Sequence, residues 1–202
     1  MTWVMFDYGG VISHPQSPED LALLGGAGGA AVPAFAEAYW RWRRAYDLAE
    51  LDAPGYWRQV GHDLGQEYSD AQVAELARLD RVSWLHLREG TVSLIEDLAV
   101  AGQPLALLSN APDDLGRAIS DLPVAARFGH LIFSCELKLA KPDPECYHRV
   151  LALLGASADD VIFIDDRSDN VTAAAALGMH AVQFTSADDM RAAVTERLAD
   201  RV

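Results

Sequence analysis

Cysteine is scarce in these 202 residues. Only Cys135 and Cys146 are present, which is no disulfide framework and suits a reducing, cytoplasmic setting. Long apolar runs are missing too. None approaches the roughly 20 residues of a membrane span. The first apolar run has no basic segment before it, so no signal peptide is expected. Positive charge is in short supply: 16 basic residues stand against 30 acidic ones, a formal net charge of −14. That balance argues against nucleic acid and anionic membranes as partners, yet it leaves room for a small anion held by a local cationic pocket. Lysine is rarest of all. Fourteen arginines accompany two lysines, Lys138 and Lys141, so a compact point charge suited to a phosphate is confined to one short stretch.

Apolar residues make up 50% of the chain, enough for a sizeable core. Five short β-branched or apolar runs read as buried strands: 4–6, 105–108, 131–133, 161–164 and 181–184. Helical patterns lie between them, over 90–100, 112–122, 144–154, 168–177 and 187–200, with Gly155 and Gly178 as stops. Alternating strands and helices predict an α/β fold, a parallel sheet covered on both faces. Residues 14–88 break the alternation. They read as helices over 32–48, 53–64 and 70–87, with a shorter one near 18–24, a flexible Gly25–Gly29 turn, and Ser69 as an N-terminal cap. A segment this long is no loop. It predicts an all-helical cap, so the expected division is a core of residues 1–13 and 89–202 with a cap of 14–88.

Four short pieces carry the chemistry. Asp7 ends the first strand and is followed by Gly9-Gly10, which let the backbone turn and approach a ligand. Ser109-Asn110 follows the second strand and offers a hydroxyl and an amide to an anion. Lys141, next to Pro142, brings a cation that can neutralise a phosphoryl group. Asp165-Asp166 ends the fourth strand, where adjacent acids repel unless a cation or donors relieve them. Asp169 and Asn170 open the next helix as a cap or an outer support. In an open α/β sheet, groups at the carboxyl ends of strands converge on one crevice. Carboxylates, a lysine and a hydroxyl gathered there suggest a Mg²⁺ site that holds a phosphoryl group.

In this order the four pieces resemble the haloacid dehalogenase superfamily of hydrolases, close to small bacterial sugar-phosphate phosphatases with a helical cap. The resemblance implies a Rossmann-like core and makes Asp7 a nucleophile that forms an aspartyl-phosphate. It implies Lys141 as the catalytic cation, and Gly9, Gly10, Ser109, Asn110 and Lys141 as substrate-binding positions. Asp7, the carbonyl of Gly9, Asp165 and Asp166 become the Mg²⁺ set. The implied substrate is a small phosphate ester, and a monomer or homodimer is expected. There is one departure. Phosphatases of this superfamily mostly carry a second acid two residues after the nucleophile, where this chain has Gly9. His14, Asp47 and His62, at or within the cap, are the residues that could replace it. The same gap keeps a 2-haloacid dehalogenase, or a weakly active binding protein, as alternatives. The Tyr39–Arg44 stretch, with Trp57 and Trp84, reads mainly as bundle packing with arginines facing water.

Overall fold

A computed structural model describes residues 1–200. Five parallel strands form one sheet: β1 (Trp3–Phe6), β2 (Leu105–Ser109), β3 (His130–Phe133), β4 (Val161–Asp165) and β5 (His180–Gln183), in the order β3-β2-β1-β4-β5. The order reverses direction beside β1. From there the chain builds outward through β2 and β3, then crosses to β4 and β5 on the other side. Such a switch point opens a crevice at the carboxyl ends of the strands. The central register sets Phe6 of β1 beside Leu107 of β2 and Ile164 of β4, so the residues just beyond, including Asp7, emerge together.

Alternation along the strands feeds two cores. Val4, Phe6, Leu107, Ile162 and Ile164 pack on one face, against α5 (Glu89–Val100), α6 (Asp113–Ser120) and α10 (Ala187–Ala199). Met5, Ala106, Leu108 and Phe163 face the other side, where α8 (Pro144–Leu154) and α9 (Ser168–Ala176) lie. Both faces are covered, as the uninterrupted apolar strands require. The strand segments stand within a residue of their sequence positions, with Ser109 and Asp165 inside the strands and β5 starting at His180. A four-residue helix, α7 (Ser134–Leu137), has no counterpart in the sequence reading.

Between β1 and β2 come four helices: α1 (Pro18–Ala27), α2 (Val32–Asp47), α3 (Ala53–Asp63) and α4 (Asp70–Ser83). They share their own core, built on Leu24, Phe35, Tyr39, Tyr56, Trp57 and Leu76. Helix α1 starts at a Ser17–Asp20 capping box with Pro18 in its first turn, a strong start signal. It runs through Gly25 and Gly26 to Ala27, so the first part of the expected Gly25–Gly29 turn is helix and the turn itself is Gly28-Gly29. Gly28 serves close packing: a Cβ there would lie 2.6 Å from the Phe35 ring and 2.9 Å from the Tyr68 hydroxyl. Helix α4 starts at a Ser69–Gln72 capping box and stops at Ser83, four residues short of its expected end. The remainder returns as extended chain. His14 N–H donates to His86 O (2.7 Å) and Arg88 N–H to Ile12 O (2.8 Å), so the two passages between core and cap are laced together. No single helix among the described residues is long and apolar enough to cross a membrane.

Trp57 sits at the centre of the cap core with no exposed surface, stacked near Phe35 and edge-on to Tyr56. Trp57→Ala should lower stability by about 3–5 kcal/mol, the usual cost of a large aromatic cavity. Urea unfolding followed by circular dichroism measures it.

Candidate functional site

The carboxyl edge of the sheet gathers charge from three chain segments. Asp7 continues β1, its N–H donating to Ile164 O at 2.8 Å. Its Oδ1 accepts the Tyr8 N–H (2.6 Å) and lies 2.8 Å from Lys141 Nζ. The same ammonium donates to Asp165 Oδ2 at 2.7 Å. Lys141 is therefore buried, at 2% exposure. Its position is set by Asn110, whose amide donates to Lys141 O (2.9 Å) while Oδ1 accepts the Lys141 N–H (3.0 Å). Asn110 thus uses its side chain on the lysine backbone, which couples the end of β2 to the loop before α8.

Asp165 is completely buried and heavily bonded. Besides Lys141, it accepts the Arg167 N–H (2.9 Å) and both oxygens accept from Asn170 Nδ2 (3.0 Å each). The helix after β4 is capped by Arg167, and Asp169 pairs with that arginine. Neighbouring Asp166 is partly exposed and faces the cavity. One oxygen from each of Asp7, Asp165 and Asp166 lies within 4.8 Å of the others. Gly10 makes this approach possible. Its φ is +79°, and a Cβ there would stand 2.3 Å from Asp166 Oδ2.

Burial raises the Asp7 pKa despite the opposing pull of Lys141, with Asp165 and Asp166 adding to the rise. Burial likewise raises Asp166, reinforced by Asp165. For Lys141, burial disfavours the ammonium, but the charges of Asp7 and Asp165 outweigh it and the pKa stays high. The two ends of the Asp7–Lys141 pair thus shift in the same direction. The lysine rise reflects a favourable pair, and the aspartate rise reflects burial first, which one ammonium does not offset while Asp165 and Asp166 add to it. This donor set fits a hard divalent cation, which takes oxygen ligands. One buried acceptor, Asn170 Oδ1, has no hydrogen-bond donor among the described residues, as a water on such a cation would provide. Asp7 and Asp166 could bind the ion directly, with the Gly9 carbonyl at the same turn. Asp165 is already committed to Lys141, Asn170 and Arg167.

A cavity of about 270 Å³ opens over this cluster, lined by Asp7, Gly9, Gly10, Ser109, Asn110, Lys141 and Asp166 from the core. Asp165 lies beneath. From the cap come Trp40, Arg43, Asp47 and Trp84. The expectation that the cap arginines face water fails for Arg43, which is 5% exposed. Its Nε donates to Asp47 Oδ1 (2.8 Å) and its Nη1 to Tyr39 OH and Asp80 Oδ2 (3.1 Å). Its guanidinium lies over the Tyr39, Tyr46 and Trp84 rings at 5.3–5.9 Å. Two aspartates and three aromatic faces make burial of this arginine tolerable. Trp57 packs the bundle, whereas Trp40 and Trp84 reach the cavity. Of the three residues named against the missing acid, Asp47 lines the cavity. His14 and His62 are exposed and do not. Sequence reasoning passed over Asp80, whose only signal was its helical spacing from Ala77 and Val73 on a buried face.

Residues 1–178 match the family model for haloacid dehalogenase-like hydrolases. The chain belongs to that family. Hexitol phosphatase A of Escherichia coli is 23% identical over 172 residues, covering 78% of each chain. A flavin mononucleotide hydrolase of Arabidopsis thaliana is 33% identical over 102 residues, but the match spans 50% of this chain and 42% of that protein. Among solved structures, a haloacid dehalogenase family enzyme of Bacteroides thetaiotaomicron, bound to magnesium and inorganic phosphate, superposes with a TM-score of 0.73 at 19% identity, over 92% of this chain and 94% of its own. The L-2-haloacid dehalogenase of Xanthobacter autotrophicus does so with 0.66 at 18% identity, over 89% and 76%. At such identities the likeness is one of fold, which serves both chemistries.

Gly10→Ala should weaken any divalent-cation binding at this cluster, because a Cβ must displace the Asp166 carboxylate and the positive φ strains any L side chain. Mg²⁺ titration by calorimetry, with circular dichroism as the check on folding, reads this directly. Wild-type affinity in the variant would show that Asp166 is no ligand.

Proposed function

We propose that the protein is a Mg²⁺-dependent phosphatase of a small phosphate monoester, with sugar phosphates among the candidates, acting through an aspartyl-phosphate on Asp7. The observation that carries this reading is the division of labour among the carboxylates. Asp165 is saturated by Lys141 and Asn170, while Asp7 and Asp166 are left facing the cavity around a space suited to a cation.

Mg²⁺ held by Asp7, Asp166 and the Gly9 carbonyl would supply positive charge to the phosphoryl oxygens. The protein's own groups do the rest. Lys141 holds the Asp7 carboxylate in one orientation and sets a second positive charge at the phosphoryl site. The Ser109 hydroxyl, at the end of β2 and 4% exposed, is a donor for a phosphoryl oxygen. Asn110 keeps Lys141 in place from below. The Asp7 carboxylate attacks phosphorus, the leaving oxygen departs into the cap side of the cavity, and water later cleaves the acyl phosphate.

Gly9 favours one rival, a 2-haloacid dehalogenase, whose chemistry uses a nucleophilic aspartate without a second acid. A carboxylate substrate would then meet Asp7 and Asp166 on the cavity face with no cation between them, Lys141 being paired with Asp7 and Asp165 and Arg43 with Asp47 and Asp80, so the phosphate reading is preferred. Chloride release from 2-chloropropionate tests the rival.

Two outcomes are expected. Phosphate release over a panel of monoesters should vanish in excess chelator and return with Mg²⁺; full turnover without metal would remove the cation from the mechanism. Asp7→Asn should lower turnover by about 10⁶-fold, the scale of losing a nucleophile, with the circular dichroism spectrum unchanged. A folded variant with wild-type rates would take the nucleophile role from Asp7.

A further inference from the structure

A departing alkoxide needs a proton, and the core side of the cavity has no group placed to give one. Gly9 carries no side chain, and a Cβ there would already lie 3.3 Å from the Trp84 ring. A side chain at position 9 would therefore press on the cap tryptophan, whose ring would have to give by a few tenths of an ångström. The Tyr8 hydroxyl donates to Trp84 O at 2.8 Å, and burial pushes its pKa far above the ordinary phenol value. No histidine or cysteine is among the lining residues. Three carboxylates are, and two of them, Asp7 and Asp166, belong to the nucleophile and cation cluster. The third is Asp47.

We propose that Asp47, the last residue of α2, is the general acid and base of the reaction, supplied from the cap in place of a core-side acid. This rests on the phosphatase reading above. In the first half, a bond forms from the Asp7 carboxylate to phosphorus, the bond from phosphorus to the alcohol oxygen breaks, and the Asp47 carboxyl proton passes to that oxygen. In the second half, a water oxygen attacks phosphorus and its proton returns to the Asp47 carboxylate. The acyl phosphate bond then breaks to give inorganic phosphate and free Asp7.

Geometry supports this placement. The Asp47 carbonyl accepts the Ser134 hydroxyl at 2.6 Å, and the same hydroxyl accepts the Ala111 N–H at 3.0 Å. Asp47 is thereby braced on the loop that carries Ser109 and Asn110. Next to it Tyr46 OH donates to Asp114 Oδ1 at 2.7 Å, a second strut from α2 to the core. Arg43 engages Asp47 Oδ1, while Oδ2 carries no hydrogen bond among the described residues. The charged groups around Asp47 are Arg43 and Arg44 on its own helix and Asp80 on α4. Burial carries its pKa up to about 6 against Arg43 and Arg44, with Asp80 adding to the rise. A carboxyl group titrating there is protonated often enough to act as an acid and ionised often enough to act as a base.

The test compares 4-nitrophenyl phosphate, whose leaving group needs little protonation, with glycerol phosphate, whose leaving group needs it fully. Asp47→Asn should slow the alkyl ester by about 100-fold or more and the aryl ester by less than about tenfold. It should also remove the fall in wild-type alkyl-ester turnover that comes as pH rises through Asp47's titration. Asp47→Glu, which keeps a carboxyl group, should recover part of the alkyl rate. An equal loss for both esters would mean that Asp47 only holds Arg43 in place, and would overturn the proposal. Should Asp47→Asn fail to fold, the wild-type protein answers alone. Turnover should depend weakly on leaving-group pKa across a series of aryl and alkyl phosphates, and a steep dependence overturns the role of Asp47. Turnover that survives Asp7→Asn would instead defeat the phosphatase reading, and the role of Asp47 with it.

Discussion

The buried ammonium of Lys141 lies 2.8 Å from Asp7 and 2.7 Å from Asp165, and the carboxyl edge of the sheet depends on that bridge. Strands β1 and β4 are hydrogen-bonded neighbours, so the acids that follow them emerge side by side in a space with little water. Two like charges about 4 Å apart repel by about 4 kcal/mol even at an effective dielectric near 20. A cation between them turns that repulsion into attraction, provided it cannot swing away. Asn110 prevents this by bonding both the N–H and the C=O of Lys141. Strand β2 thereby fixes a residue that follows β3, and the two fix the acids on β1 and β4. Four strands contribute to one ion cluster, and none of its members is positioned alone.

The bridge is incomplete as a charge balance. Three carboxylates against one ammonium leave the edge negative, which adds to the burial that raises the pKa values of Asp7 and Asp166. A phosphate dianion would be repelled by such a site. A divalent cation near Asp7 and Asp166 removes the deficit, so cation and phosphate are acceptable together where phosphate alone is not. Asp165 differs from its neighbour because its hydrogen bonds are already filled. Adjacent acids at one strand end therefore have separate tasks, one facing into the protein and one facing the cavity.

Much of this was legible in the chain. Asp7, Ser109 and Asp165 each end an apolar run of the right length, and strand ends in a parallel sheet share one edge, so their meeting follows from local pattern and topology. Lys141 does not follow this logic, since it lies beyond α7 in the loop before α8, and its burial is not legible either, since an isolated lysine reads as solvated. The cap was harder. Its helices were visible from their periodicity, but Arg43 looks like a surface arginine within a run of three basic residues. Its burial depends on Asp47 four residues on, Asp80 two helices later, two rings of its own helix and the Trp84 ring beyond α4. Gly25 and Gly26 misled in the opposite direction. Helix propensity counts them as breakers, yet the capping box at Ser17 and contacts along α1 outweigh that cost. Long-range packing decided the burial of Lys141 and Arg43, and no local window contains it.

The cap and the first turn of the core also constrain each other. Trp84 follows directly after α4, its carbonyl accepts the Tyr8 hydroxyl, and its ring lies over Gly9. A side chain at position 9 would crowd this ring from its Cβ onward and push it. Moving the ring would in turn loosen Arg43, which lies 5.9 Å above it, and with Arg43 the Asp47 carboxylate. Gly9 and Trp84 are thus one structural choice made at two places. With the ring in place, polar chemistry on the leaving-group side has to come from the cap, and the buried Arg43–Asp47 pair is what the cap presents there. The absence of a side chain at position 9, which reads in the sequence as a loss, is in the folded protein a transfer of that side of the cavity from the core to the cap.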